Sequence, residues 1–162
     1  MTFGKKILIA EIAKHRPRLY KLCFSWTHNY YLSEDLAQET ITQAINKISS
    51  LKDPKALPHW LSQILSNKFR NFIKLSRDTD SIDDIILSEQ VTPETLYHQD
   101  QLRIKIRQAI ASLPVGQRMA ITLADLEGYS YIEISAILGT PIGTVMSRLS
   151  RARKRLASLL HD

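Results

Sequence analysis

The chain has 162 residues, 44% of them apolar, enough for one ordinary core or two modest helical ones. Its single cysteine excludes an internal disulfide and a multi-cysteine zinc site, and its formal net charge of +6 suits a polyanionic partner. No apolar run approaches the roughly twenty residues of a membrane span, and residues 7–10 are too short for a signal peptide and run into Glu11, Lys14 and His15, so a soluble, cytoplasmic protein is expected.

Residues 7–31 predict one helix, with Ile9, Ile12, Leu19, Leu22, Cys23 and Trp26 as apolar positions and a kink at Pro17. Cys23 sits among apolar residues with no partner cysteine or neighbouring His motif, and reads as a buried structural thiol. Ser33 is the predicted N-cap of the next helix, with Glu34 and Asp35 in the first turn, where acids suit the dipole. Leu36, Thr40, Ile41, Ala44, Ile45 and Ile48 form its inner stripe, and Asp35, Gln38, Glu39 and Gln43 an outer polar face whose simplest reading is exposure to solvent. Asp35 and Glu39, one turn apart, could share a metal. No His, third carboxylate or phosphate-binding Gly loop accompanies them, so neither a metal nor a cofactor nor an enzymatic activity is expected.

Asp53-Pro54 and Leu57-Pro58 mark a loop and a helix start. Trp60, Leu61, Ile64, Leu65, Phe69, Phe72 and Ile73 then recur at helical spacing as a wide buried face. The polar positions Asn67, Lys68, Arg70, Asn71 and Lys74 include no acid, and such a face can track phosphates while aromatics stack bases. For Trp60 and Phe69, core packing is the preferred reading.

The next stretch is acidic. Between Asp78 and Asp100 there are seven acids and no Lys or Arg, which leaves 22 basic against 9 acidic residues on the rest of the chain. An acidic strip between two basic blocks marks a boundary. Isolated Ile82, Ile85, Ile86 and Leu87 among these acids fit a tether.

Thr92-Pro93-Glu94-Thr95 signals a helix start, and Leu96, Ile104, Ile106, Ala109, Ile110 and Leu113 carry that helix to Pro114. Residues 115–127 predict another, with Met119, Ile121, Leu123 and Leu126 apolar, ending at Gly128. Ser130-Tyr131-Ile132-Glu133 is a capping box opening a short helix with Ile134, Ile137 and Leu138 on one side, stopped by Gly139. Thr140 is the predicted N-cap and Pro141 the first-turn proline of the last helix, and two helices joined by a short Gly-containing turn form a helix-turn-helix. Val145, Leu149, Ala152 and Leu156 are its buried stripe, while Thr144, Ser147, Arg148 and Arg151 share another face flanked by Ser150 and Arg155. Five of the eight residues from Arg148 to Arg155 are basic, with no acid between them. A solvated basic helix end is the bland account, but it leaves the ordered caps, the Gly turn and the separate apolar stripe unexplained. DNA recognition accounts for all of them.

With these motifs in this order, nearly the whole chain resembles a bacterial RNA polymerase sigma factor of the sigma-70 family, extracytoplasmic-function (ECF, group 4) type. Leu113-Pro114-Val115-Gly116-Gln117-Arg118 resembles the opening of the family's region four. Leu126-Glu127-Gly128-Tyr129-Ser130-Tyr131-Ile132-Glu133-Ile134 resembles its first helix-turn-helix helix, and Gly143-Thr144-Val145 through Ser147-Arg148-Leu149 to Arg151-Ala152-Arg153 its recognition helix. Ser33-Glu34-Asp35-Leu36-Ala37-Gln38-Glu39-Thr40 resembles the polymerase-binding helix of region two, and Trp60-Leu61 with Asn67 the helix that faces promoter DNA. Met146 stands where many relatives carry a basic residue, and Asn71 and Lys74 where Asp and Arg are frequent.

The resemblance implies an all-α chain of two small helical domains joined by an acidic linker. Residues 1–76 are region-two-like, 77–92 the linker, and 93–162 a region-four-like, winged-helix-like helix-turn-helix domain. It implies that Asp35, Leu36, Gln38, Glu39 and Gln43 bind core RNA polymerase at the clamp coiled coil of the largest subunit, with the flap of the second-largest subunit as a further partner. Trp60, Asn67, Arg70, Asn71 and Lys74 would contact the minus-ten element, and Thr144, Ser147, Arg148, Ser150 and Arg151 the minus-thirty-five element of promoter DNA. Anti-sigma factors commonly restrain such proteins. The expected function is promoter specificity in transcription initiation. The alternative is a free-standing helix-turn-helix regulator, which gives the 33–40 face and the 60–74 helix no task.

Overall fold

The computed structural model describes residues 3–76 and 101–161, and every regular element among them is helical. Helices α1 (Phe3–Lys14) and α2 (Arg16–Thr27) replace the single helix expected over 7–31. The break falls at His15 because Pro17 lacks an N–H and is tolerated only in a first turn. α2 ends at His28, whose φ of 50° is left-handed and whose N–H donates to the Phe24 carbonyl at 2.8 Å.

Helix α3 (Tyr30–Asn46) begins before Ser33, not after it. Asn29 is the N-cap, its side chain accepting the Leu32 N–H at 3.1 Å. Ser33 is buried one turn in and shares a 2.6 Å hydrogen bond with Thr27. Two 3-10 turns, Ile48–Ser50 and Pro54–Ala56, lead to α4 (Leu57–Ser76). The second turn is capped by Asp53, which accepts the Lys55 N–H at 3.0 Å.

The second group comprises α5 (Gln101–Ala111), α6 (Val115–Asp125), α7 (Tyr131–Leu138) and α8 (Ile142–Leu160). The tether and the helix start expected at residues 92–96 lie outside the described residues. The capping box is present: Ser130 Oγ accepts the Glu133 N–H at 3.2 Å, and Glu133 accepts the Ser130 N–H at 3.0 Å. The hydrogen bonds from Ser130 hold the Glu133 carboxyl below its usual range. Gly139 closes α7 at φ 61°, a conformation that costs a side-chain-bearing residue about 1–2 kcal/mol. Thr140 does not cap α8. Its N–H bonds the Ser135 carbonyl at 3.2 Å and its own carbonyl accepts Ser135 Oγ at 2.5 Å, so it belongs to the end of α7. Pro141 takes the N-cap position instead. Leu126, expected among the apolar positions, is exposed at the end of α6.

The core is continuous across both groups. Trp26, Leu61, Leu65 and Phe69 from the first, and Leu113, Leu123, Ile137 and Leu149 from the second, belong to one buried cluster. α2 packs against α5 and α6, and α4 packs against α7. The two helical groups that were expected are both present, and buried residues of each belong to this one cluster. Cys23 lies in this core, and burial pushes its thiol up to about 12, as befits a structural cysteine.

His28 lies where α2 meets the second group. Burial, reinforced by the positive charges of Arg118 and Arg107, pushes its imidazole down to about 4. A histidine held neutral in the folded state and titrating near 6.5 in the unfolded chain contributes a stability that falls with acidification from that unfolded value down to the folded one. Between pH 7 and pH 5 the wild type should therefore lose about 2 kcal/mol more than His28→Asn, a residue that tolerates the left-handed backbone. Urea unfolding of both proteins at the two pH values measures this. Parallel pH profiles would show that His28 is not the cause.

Candidate nucleic-acid and partner surfaces

α8 turns inward the stripe its spacing predicts: Val145, Leu149 and Ala152 are buried and Leu156 is half-buried. Away from that stripe, Met146, Ser150 and Arg151 are exposed, and Thr144, Ser147 and Arg148 are half-buried. Ser147 Oγ donates to the Thr144 carbonyl at 3.0 Å, leaving its lone pairs for an outside donor. The Arg148 guanidinium lies over Gly116, where an added Cβ would stand 3.2 Å from its Cζ and Nε. Arg153 is tied back to Tyr131 at 3.3 Å and Asp125 at 3.5 Å, whereas Arg151, Lys154 and Arg155 are exposed. An exposed row of Ser and Arg on one helix can place guanidinium forks on base edges or phosphates.

On α4, Asn67, Asn71 and Lys74 are exposed along one side, and Trp60 is half-buried against the core. Arg70 departs from this strip. It donates to the Leu138 carbonyl at the end of α7 and to the Asn67 side chain, and its Nη1 lies 3.3 Å from where a Gly139 Cβ would be. Burial lowers the Arg70 pKa, and the nearby charge of Arg148 lowers it further. Arg70, expected on the minus-ten element, thus lies at the joint between the two groups.

On α3, Asp35, Gln38 and Glu39 are exposed, Gln43 is half-buried, and Leu36 is buried and supports this face from beneath. Glu39 sits 3.9 Å from Lys68, an exposed pairing of the kind that contributes little. The face is available on the surface in this arrangement.

The sequence reading missed the polar groups that join the halves. Arg18 donates to Glu127 at 3.0 Å, to Ser62 at 3.1 Å and to the Pro58 carbonyl at 3.0 Å. Tyr129 Oη and Ser62 Oγ are 2.9 Å apart, and Trp26 Nε1 donates to Thr122 Oγ1 at 2.7 Å. Arg118 is almost wholly buried and donates to the carbonyls of Ile110, Ala111 and Leu113 and, at 2.5 Å, to that of Trp26. The available signal was a polar residue inside an apolar stripe, as with Ser62 beside Leu61 and Thr122 between Ile121 and Leu123. Such a group needs a partner, but its position in sequence does not name one.

Among the described residues no three or more His, Cys, Asp or Glu side chains converge to hold a metal, and no helix is long and apolar enough to cross a membrane.

Comparison with known proteins matches both helical groups to one family. Residues 12–79 match the family model described as Sigma-70 region 2, and residues 103–156 that described as Sigma-70, region 4. The chain is 37% identical over 134 residues to the ECF RNA polymerase sigma-E factor of Escherichia coli K12, covering 75% of this chain and 70% of that one. It is 33% identical over 158 residues to the ECF RNA polymerase sigma factor SigE of Mycolicibacterium smegmatis, covering 92% of this chain but 60% of that relative's length. Among solved structures, the sigma factor RpoE of Bartonella quintana, crystallised with the anti-sigma factor NepR, superposes with a TM-score of 0.78 at 35% identity, covering 94% of this chain and 95% of that one. CnrH, solved with the cytosolic domain of CnrY, shares the fold at a TM-score of 0.66 and 24% identity, covering 97% of each chain. All-α, with one helical group matching region 2 and the other matching the helix-turn-helix region 4, the chain belongs to the sigma-70 family of RNA polymerase sigma factors, in its extracytoplasmic-function group.

Proposed function

We propose that this chain gives core RNA polymerase its promoter specificity. The observation that carries the reading is the pairing, on one chain matched by both family regions, of a Ser/Arg face on α8 with an acid-free amide and basic face on α4. Residues 1–76 act as the unit that binds polymerase and the minus-ten element, 93–162 as the minus-thirty-five unit, and 77–92 as their link. Asp35, Gln38, Glu39 and Gln43, backed by Leu36, dock on the clamp coiled coil of the largest subunit, and the second unit meets the flap of the second-largest. Trp60, Asn67, Arg70, Asn71 and Lys74 take the melted minus-ten strand, and Thr144, Ser147, Arg148, Ser150 and Arg151 read the upstream duplex.

No catalysis by this chain is needed, because phosphoryl transfer belongs to the polymerase. Opening costs a few kcal/mol per base, and aromatic stacking returns about 1–3 kcal/mol per base, so strand capture can offset melting once polymerase holds the complex. An anti-sigma partner is part of the proposal, supported by the superposition on RpoE in its complex with NepR.

Purified chain added to core enzyme should produce promoter-dependent transcripts; failure both to bind core and to redirect it would sink the reading. Arg151→Ala should lower promoter selectivity by about 1–3 kcal/mol, roughly five- to 150-fold, with core binding intact. Asp35→Ala should instead weaken core binding several-fold and leave selectivity in the assembled complex unchanged. Transcription and pull-down assays on both variants separate the roles, and equal loss of core binding in the two would contradict the division. Tight, specific binding of duplex DNA by the chain alone would favour the free-standing regulator.

A further inference from the structure

The outer surface of α8 changes character along its length. Residues four apart on a helix line up as ridges, and two such ridges lie away from the buried stripe. One carries Ile142, Met146 and Ser150, the other Gly143, Ser147 and Arg151. Their C-terminal ends present a hydroxyl and a guanidinium. Their N-terminal ends present two apolar side chains, 43% exposed at Ile142 and 51% at Met146, beside a glycine that has none. No residue from 142 to 147 is charged, no acid occurs on α8, and its first arginine, Arg148, lies over Gly116.

Gly143 lies outside the left-handed region, and a Cβ built on it would meet nothing within 4 Å. No contact inside the chain calls for the missing side chain, whereas close approach of an outside surface does. Ser147 Oγ gives its proton to the Thr144 carbonyl at 3.0 Å and so offers a partner only lone pairs. In a recognition helix the N-terminal residues meet the base edges. The one apolar group on those edges in the major groove is the thymine 5-methyl, and the adenine of the same pair presents an N6–H2 donor. An exposed apolar side chain beside an acceptor-only hydroxyl matches that edge. A C·G pair offers the amino donor without the methyl, so it matches only half. Ile142 and Met146 stand about 6 Å apart along the helix axis, within two base-pair steps of about 3.4 Å each.

Resting on the promoter-specificity reading, in which α8 faces the upstream duplex, we propose that Met146 and Ile142 read thymine 5-methyl groups while Ser147 accepts from an adenine amino group. They thereby select A·T pairs at one or two neighbouring positions of the minus-thirty-five element. Gly143 lets the first turn of α8 come close to the DNA, and Arg151 supplies the charged contact one turn beyond Ser147. Removing a methyl from water against a flexible, polarisable thioether is favourable without any hydrogen bond. Met146 and Ile142 stand outside the buried core, so their truncation tests recognition and leaves the fold in place.

The test uses the full chain assembled with core RNA polymerase, selecting from duplexes randomised over the upstream element. The wild type should enrich A·T pairs at one or two neighbouring positions, and Met146→Ala should leave one of them randomised. Replacing thymine there by deoxyuridine removes only the methyl. It should weaken wild-type binding roughly fourfold, the factor for one buried methyl, and leave Met146→Ala binding unchanged. Ile142→Ala should behave likewise at the second position. Met146→Arg should shift the preference towards G·C, since a guanidinium forks onto guanine O6 and N7. Gly143→Ala should weaken binding to every template without lowering the urea midpoint. Wild-type indifference to deoxyuridine, or unchanged A·T selection by Met146→Ala, would overturn the methyl contact while the promoter-specificity reading stands. Loss of core binding by Met146→Ala in a pull-down would assign the ridge to a protein partner and overturn it as well. A wild-type assembly that enriches no upstream element would refute the promoter-specificity reading itself.

Discussion

Arg118→Met is expected to destabilise the protein by about 3–5 kcal/mol, the cost of leaving several buried carbonyls short of their donor. The guanidinium sits where two helices end. Ile110 and Ala111 supply the last carbonyls of α5, Leu113 follows them, and the Trp26 carbonyl comes from the last turn of α2. C-terminal helix carbonyls carry partial negative charge and lack intrahelical donors, so a planar five-donor cation suits this convergence. Met fills the stem's volume but leaves the Ala111, Leu113 and Trp26 carbonyls without this donor at about 1–3 kcal/mol each, while Ile110 keeps the Leu113 N–H, and the sum is reduced by relaxation and water entry. Arg118→Lys should recover less than half, because an ammonium is a point donor and cannot span the same acceptors. Urea unfolding followed by tryptophan fluorescence measures both variants. A loss under about 1 kcal/mol for Arg118→Met would show that solvent replaces the guanidinium at little cost.

Phe69→Ala should cost a similar amount, about 3–5 kcal/mol. Phe69 and Trp26 are both fully buried, with ring centroids 5.5 Å apart and planes at 25°. Removing the ring leaves a cavity beside an indole that is held on its other edge by Thr122 and cannot slide into the gap without giving up that bond. Phe69→Leu should restore most of the loss, since it refills the volume without the stacking. The same urea titrations test this, and an unchanged midpoint for Phe69→Ala would mean that α4 and α2 collapse onto the space.

These two side chains also show what local reading could reach. The inward faces of α3, α4 and α8 follow from apolar spacing, because a helix's period determines which residues share a side whatever it packs against. Ser130 and Glu133 were legible for the same reason: a capping box closes within three residues. Where two local signals competed, the reading failed. Ser33 with Glu34 and Asp35 mimics a helix start, but Asn29 caps first and Ser33 is buried against Thr27. Thr140 resembles an N-cap, yet the left-handed Gly139 turns its backbone into the finish of α7.

The exposure expected of Asp35, Gln38 and Glu39 on α3 and of Ser150 and Arg151 on α8 came through because it depends only on helix phase. Arg70 did not, since its phase suits the exposed strip while its long side chain reaches a carbonyl on the other half of the molecule.

The sequence by itself therefore determined the helices, their buried stripes, the helix-turn-helix and the family, all of which reside in short-range spacing and motif order. Only the tertiary structure decided that the halves share one core and that Arg18, Trp26 and Arg118 connect them, 109, 96 and 92 residues from Glu127, Thr122 and Trp26 respectively. Those pairings depend on which faces meet in space. A polar residue in a stripe states that it needs a partner, and only packing supplies one.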